Sequence, residues 1–204
     1  MNLSDIGSLT FEHLYLVLIG TIIGGGIGFL LAIWVRRRPN WAALFIGLAE
    51  VIQTLPGIAL LALLLLAFGL GNGPVIVALA LYAILPVLAN TYEGLQGVDP
   101  VYLAIGKGMG MTPGQIFRQI ELPLAFPIIL AGLRVALVTS IGIATIGVFV
   151  GGGGLGVLIF RGLQTIDTQM MLSGAIPAAL LAIVLEVGLS LWERSLARAA
   201  ASKL

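Results

Sequence analysis

The sequence predicts an all-α protein, a polytopic bundle of about five transmembrane helices. Hydrophobic residues make up 59% of the 204 positions and charged ones only 9%, with a mean hydropathy of +1.13. A soluble domain ordinarily carries about 25% charged residues. Apolar runs of roughly 20 residues or more recur along the chain, each long enough to cross a bilayer. The basic residues gather in the gaps between them. A net charge of +1 gives no reason to invoke nucleic acid. The absence of cysteine excludes disulfides, thiolate metal sites and cysteine nucleophiles. No internal repeat or low-complexity segment divides the chain, so residues 1–204 read as a single transmembrane domain.

The first span is expected from Leu14 to Val35. The segment before it, MNLSDIGSLTFEH, lacks the positive region of a signal peptide, so the span is expected to be retained. His13 reads as an interfacial residue at its start. Gly20, Gly24, Gly25, Gly26 and Gly28 make a smooth face, suited to close helix packing in lipid. Arg36, Arg37 and Arg38 end the span and Pro39-Asn40 turns it. From Trp41 to Leu70 the apolar run of about 30 residues is too long for one straight span. Pro56-Gly57 divides it, giving either one kinked helix or two half-length re-entrant segments; the charge distribution favours the kinked helix. Gly71-Asn72-Gly73-Pro74 reads as a plain turn. A third span follows from Val75 to Thr91, with Pro86 as a further kink. A fourth runs from Pro127 to Val150. Four glycines from Gly151, a short apolar stretch and a polar loop from Arg161 to Gln169 come next. A fifth span, Leu172 to Trp192, leads to a tail with Arg194, Arg198 and Lys203.

The polar interruption from Asp99 to Pro123, DPVYLAIGKGMGMTPGQIFRQIELP, is the chain's most informative stretch. Asp99 caps a short helix with Pro100 at its first position. Gly110 can take the left-handed conformation that ends it. Thr112, Pro113 and Gln115 open a second helix at capping-box spacing. Leu122-Pro123 is expected to close it, because Pro123 has no N–H to donate. Tyr102, Ile105 and Met109 share one face, and Ile116, Phe117 and Ile120 another. The expectation is a compact helical knob carrying Lys107 and Arg118.

Gly110, Ile120, Leu122 and Pro123 stand at the spacing G-x9-I-x-L-P. This resembles half of the EAA motif of permease subunits of binding-protein-dependent ABC importers. The other half departs from the pattern, since Ala104-Ile105-Gly106 stands where that family has Glu-Ala-Ala. Ile52-Gln53-Thr54-Leu55-Pro56, Asn90-Thr91-Tyr92, Gly108-Met109-Gly110-Met111-Thr112 and Gly153-Gly154-Leu155-Gly156 are similar to osmoprotectant permeases, which move glycine betaine, choline and carnitine. The resemblance implies the type I ABC importer permease fold, with coupling helices at about 94–123 that dock on an ATPase subunit. Ala104, Gly106, Lys107, Gly110, Met111, Thr112, Ile120, Leu122 and Pro123 are the coupling residues it implies. It also implies a substrate-binding protein and a second permease subunit, identical or homologous. This chain is then expected to bind no cofactor, with ATP and Mg²⁺ held by the ATPase.

Eight of the ten basic residues, namely Arg36, Arg37, Arg38, Lys107, Arg118, Arg194, Arg198 and Lys203, fall on one side if five spans are drawn. The positive-inside rule puts that side in the cytoplasm, so the N-terminus is expected outside and the C-terminus inside a bacterial inner membrane. The candidate pathway and gate residues are Glu50, Gln53, Thr54, Arg134, Thr139, Ser140, Gly153 and Gly154. The small polar ones, with Thr145, can instead bond a neighbouring helix or their own backbone. The glycine run lacks the lysine of a phosphate loop and reads as either a tight turn or an external gate. Glu50 and Arg134 lie at similar estimated depths, about 13 and 15 Å along their spans, and are expected to pair, the alternatives being that Arg134 snorkels inward or takes Glu186 of the fifth span as its partner.

Two other classes compete. An intramembrane enzyme needs a nucleophile–base or metal constellation, and no cysteine, one histidine and no paired acidic motif within a span argue against it. A structural protein or small channel fits the composition but has no use for a motif-spaced docking loop. An aromatic cage for a quaternary ammonium group needs clustered rings. The 3 Trp and 4 Tyr are scattered towards span ends, so high-affinity binding is expected in a separate protein.

Overall fold

In the computed structural model, residues 3–201 are described, with side chains for residues 4–195. Helix α1 spans Leu3–Val35, eleven residues more than the predicted span. At about 1.5 Å per residue it is about 50 Å long, so its first turns extend beyond a hydrocarbon core of about 30 Å. His13 does not sit on the protein surface. It is fully buried, its Nε2 3.2 Å from the Ile141 carbonyl. That packing lets the helix begin before the apolar run does.

Helix α4, Asn72–Gln96, is the centre of the bundle. α1 lies along one side of it, with Gly20, Gly24 and Gly28 against the α4 backbone. A Cβ on Gly28 would stand 2.7 Å from the Ile84 carbonyl oxygen. Gly26 points away, with nothing within 4 Å. The spacing of four residues, rather than the whole glycine cluster, makes the seam. Helix α7, Leu122–Ile146, packs on α1 and α4. Leu16, Val17, Leu61, Val75, Leu79 and Ile141 form the main core between these elements.

The stretch 41–70 is a broken span. α2, Pro39–Thr54, and α3, Gly57–Phe68, meet at 98°. Leu55 (φ −67°, ψ 130°) and Pro56 (φ −58°, ψ 134°) are both extended, as expected of a proline and the residue before it. The break falls where the sequence placed a kink, but it is far sharper. α2 starts beside the C-terminal end of α1, which the Gln96 side chain ties to the end of α4 through the Arg36 carbonyl. The break lies beside Tyr82, midway along α4. The segment after α3 bonds from Gly71 N–H to the Val150 carbonyl at the opposite end. The pair therefore crosses the whole bundle and does not re-enter.

The expected turn 71–74 is already helical from Asn72. Pro86 sits inside an unbroken α4 and deprives the Tyr82 carbonyl of its helical partner. Gln53 Nε2 donates to that carbonyl instead, at 2.9 Å, and Tyr82 Oη donates to the Leu55 carbonyl at 2.6 Å. Each of these two carbonyls is thus satisfied at the break by a side-chain donor from the other span.

Helix α5 is Pro100–Gly108 and α6 is Pro113–Ile116. Pro123 does not close the second knob helix as expected. A π-helical turn, Phe117–Glu121, carries α6 directly into α7, with Leu122 N–H bonded to the Phe117 carbonyl. The wider turn changes the bonding register just where Pro123 has no N–H, so the missing donor leaves the helix intact. After α7, a 3₁₀ turn, Gly147–Val150, leads into the glycine run. The expected polar loop 161–169 is mostly helix: α8 is Gly156–Thr165, and α9, Thr168–Ala201, starts earlier than the fifth span was placed. α9 packs on α7 and α8 at the edge of the bundle. Its Trp192 meets Phe126 edge-on at 6.4 Å, which brings its C-terminal part back to the knob end.

Candidate functional site

Three regions hold the polar groups that the apolar bundle cannot explain by packing alone. The first is the knob. Asp99 accepts from Val101 N–H at 2.8 Å and caps α5. Gly110 has φ 77°, the left-handed conformation that reverses the chain. Thr112 and Gln115 form the reciprocal capping box, Gln115 accepting from Thr112 N–H at 2.7 Å and Thr112 Oγ1 from Gln115 N–H at 3.3 Å. Gly106 is buried where a Cβ would lie 2.8 Å from Ile120 Cδ1 and 3.4 Å from Met111 Sδ, so the two knob helices touch through it. Ala104, Lys107, Thr112 and Pro123 are exposed, and Leu122 is half-buried. The face expected from Tyr102, Ile105 and Met109 does not fold inward: Ile105 is 54% and Met109 75% exposed.

The knob is fastened to α1 by a cluster not foreseen from the sequence. Glu121 is buried in the π-helical turn, its carboxylate 3.5 Å from Arg36 Nε and 3.9 Å from Arg37 Nη2. The Arg36 guanidinium lies 4.2 Å over the Phe117 ring. An acidic residue at the entrance to an apolar run was the available signal. A cavity of about 470 Å³ opens beside it, lined by Arg36, Arg37, Lys107 and Glu121 among others. Arg118 and Arg194 lie at this same basic end, while Arg161, on α8, lies towards the other. Lys203 and the Arg198 side chain fall outside the described residues.

The second region is at mid-span. Gln53, Leu55, Gly57, Tyr82, Thr139 and Gly142 line a notch of about 340 Å³ at the break between α2 and α3. Glu50, Gln53, Thr54 and Thr139 are exposed. Thr54 Oγ1 donates to its own helix at the Val51 carbonyl, and Thr145 Oγ1 to the Gly142 carbonyl. Ser140 is turned away from the notch and buried, accepting from Thr21 Oγ1 at 3.1 Å across the α1–α7 seam. The expected Glu50–Arg134 pair is not formed. Arg134 meets two carboxylates of α9, Glu186 through Nη1 and Glu193 through Nε at 3.3 Å. Similar depth did not suffice, because Arg134 faces α9 whereas α2 packs on α4.

The third region is the glycine end, opposite the knob. Asn72 Nδ2 donates to Glu12 Oε1 at 3.3 Å, Gly154 N–H to Glu12 Oε2 at 3.0 Å, and Gly153 N–H to Asn72 Oδ1 at 3.0 Å. Gly154 has φ 86°, and a Cβ there would stand 3.0 Å from His13. A Cβ on Gly153 would overlap the Glu12 carboxylate. No group of three or more His, Cys, Asp or Glu suited to a metal occurs among the described residues.

These features agree with the comparisons. Residues 24–201 match the family described as the binding-protein-dependent transport system inner membrane component. The choline transport system permease protein OpuBB of Bacillus subtilis (strain 168) is 43% identical over 96% of this chain and 90% of its own length. The glycine betaine/carnitine/choline transport system permease protein OpuCD of the same organism is 47% identical over 89% and 78%. The carnitine transport permease protein OpuCD of Listeria monocytogenes serotype 1/2a (strain 10403S) is 46% identical over 91% and 84%. Among solved structures, an inward-facing MetNI methionine ABC transporter superposes with a TM-score of 0.81 at 22% identity, covering 96% of this chain and 99% of that one, a likeness of fold. The chain belongs to the inner membrane components of binding-protein-dependent transport systems, as a transport permease subunit and not an enzyme, with the fold of type I ABC importer permeases.

Proposed function

We propose that this chain lines the translocation pathway of an ATP-driven importer for a small quaternary-ammonium solute such as glycine betaine, choline or carnitine. The observation that carries the pathway reading is the exposed polar face at mid-span. Thr54 satisfies its hydroxyl on its own helix, but Glu50, Gln53 and Thr139 are exposed where lipid cannot hydrogen-bond them, so that face needs water and a second permease subunit, identical or homologous, rather than acyl chains. The solute class is supported by the names of relatives that cover nearly the whole chain. Among the described residues no aromatic cage forms. Trp34, Trp41 and Phe45 cluster with one another at the basic end, which suits an interfacial anchor. High-affinity capture is therefore assigned to a separate substrate-binding protein.

Residues 94–123 act as the coupling segment. Their outward apolar face, Val101, Ile105 and Met109, suits contact with an ATPase subunit that holds ATP and Mg²⁺, while Gly106, Met111 and Ile120 keep the two short helices together. Because the π-helical turn joins the knob to α7 without a break, displacement of the knob moves α7 and, through Glu121 and Arg36, the end of α1. Gly153 and Gly154 belong to the gate at the far end. The positive-inside rule puts the basic end in the cytoplasm and the N-terminus outside a bacterial inner membrane. Proteoliposomes carrying the assembled transporter are expected to accumulate labelled choline, carnitine or glycine betaine when ATP and the binding protein are present. ATP-dependent uptake of an unrelated solute, with none of these three, overturns the assignment.

A further inference from the structure

The geometry points to Glu12, with Asn72, as the latch that holds the glycine run shut at the far end of the pathway. This rests on the reading of Gly153 and Gly154 as a gate and adds the residues that control it. One carboxylate gathers three elements that are remote in sequence. Its Oε1 accepts from Asn72 at the first position of α4, and its Oε2 from the Gly154 backbone in the run between α7 and α8. Asn72 completes the ring by accepting from Gly153 N–H. Both oxygens of Glu12 act as acceptors, so a charge-assisted pair of bonds closes the loop on two rigid helices.

Nothing about the span itself calls for a glutamate here. Glu12 lies 24 residues before Arg36, about 36 Å along α1 at 1.5 Å per residue. That is the opposite membrane boundary, where water can replace the loop's bonds once it lifts. The run is also fitted to the carboxylate, because a Cβ on Gly153 would occupy its place. Just before the run, Val150 is only 2% exposed, and its carbonyl accepts from Gly71 N–H at 2.8 Å. A short glycine run whose Gly153 and Gly154 N–H groups are held by side chains of other elements can lift without unwinding α4 or α7. Glu12 is thus a positioning residue for transport, releasing and recapturing the loop in each cycle.

The absence of cysteine allows a clean test. A single Val150→Cys is introduced into the assembled transporter in lipid nanodiscs and labelled with a membrane-impermeant maleimide, at rest and with the ATPase trapped by vanadate. In the otherwise native chain, labelling should be slow at rest and at least about tenfold faster when trapped. Glu12→Gln keeps the shape but supplies one carbonyl acceptor for two donors, and Asn72→Ala removes the second anchor. Each should raise the resting rate about tenfold, a shift of about 1.4 kcal/mol in the opening equilibrium, while the trapped rate stays unchanged. Labelling that follows trapping natively but is identical at rest in both variants overturns the latch and leaves the gate standing. Native labelling that ignores trapping in a transporter that still imports choline overturns the gate reading and the latch together. A purely structural Glu12 would lower the melting temperature and raise both rates alike, which also overturns the latch. Should Glu12→Gln fail to assemble, Asn72→Ala decides alone.

Discussion

Replacing Gly24 by alanine tests the α1–α4 seam that carries both ends of the transport apparatus. A Cβ at this position would overlap the Ala80 carbonyl oxygen and stand 2.7 Å from the carbonyl carbon and 2.8 Å from its Cα. All are backbone atoms of a central helix and cannot swing aside. Restoring ordinary contact with that oxygen requires the helices to part by more than about 1 Å, and a gap of that size forfeits up to about half of each dispersion contact it opens. Leu16, Val17, Leu79 and Ala83 lie in or beside the seam and are all buried. Overpacking of this kind costs about 1–3 kcal/mol, and the lost contacts put Gly24→Ala at the upper end, about 3 kcal/mol. The better helix propensity of alanine recovers up to about 1 kcal/mol. Gly26→Ala is the internal control, since it gains the same propensity and meets nothing within 4 Å. At about 2–4 °C per kcal/mol, Gly24→Ala should melt about 5–12 °C below Gly26→Ala in detergent, with reduced folded yield. Melting of the two variants within about 2 °C of each other would refute the packing argument.

Gly110→Ala should cost about 1–2 kcal/mol at φ 77°, and Gly110→Pro should abolish solute-stimulated ATP hydrolysis while membrane insertion stays normal; undiminished transport in the proline variant removes the hinge from the mechanism. Arg134→Gln leaves Glu186 and Glu193, two turns apart on α9, without the cation they share and should destabilise by about 1–3 kcal/mol. A double-mutant cycle with Glu193→Gln should show coupling of about 1 kcal/mol or more, and one with Glu50→Gln should be additive within about 0.5 kcal/mol; the reverse pattern restores the pairing expected from depth alone. Cysteines at Ser4 and Gly108 should label from opposite faces of right-side-out vesicles, and labelling of both from one face contradicts the five-span orientation.

The fold class, the broken second crossing and the knob's turns were legible because each depends on neighbours in sequence. Composition makes lipid the solvent, Pro56-Gly57 marks the weak point of an apolar run too long for one straight span, and Asp99, Gly110 and Thr112-Gln115 cap or reverse the chain with groups at most three residues away. The type of family was legible for the same reason, since its motif is a local spacing. Partner choice was not. Whether Arg134 finds Glu50 or the α9 carboxylates Glu186 and Glu193 depends on which face of α7 meets α9, and equal depth leaves that rotation undetermined. Pro123 reads locally as a stop, yet the π-helical turn before it absorbs the missing donor. Glu12, His13 and Asn72 look like boundary residues until α1, α4 and the glycine run are brought together, because a polar group near a membrane edge can be satisfied by water as well as by protein. Tertiary packing alone removes the water and decides which of those groups must bind one another.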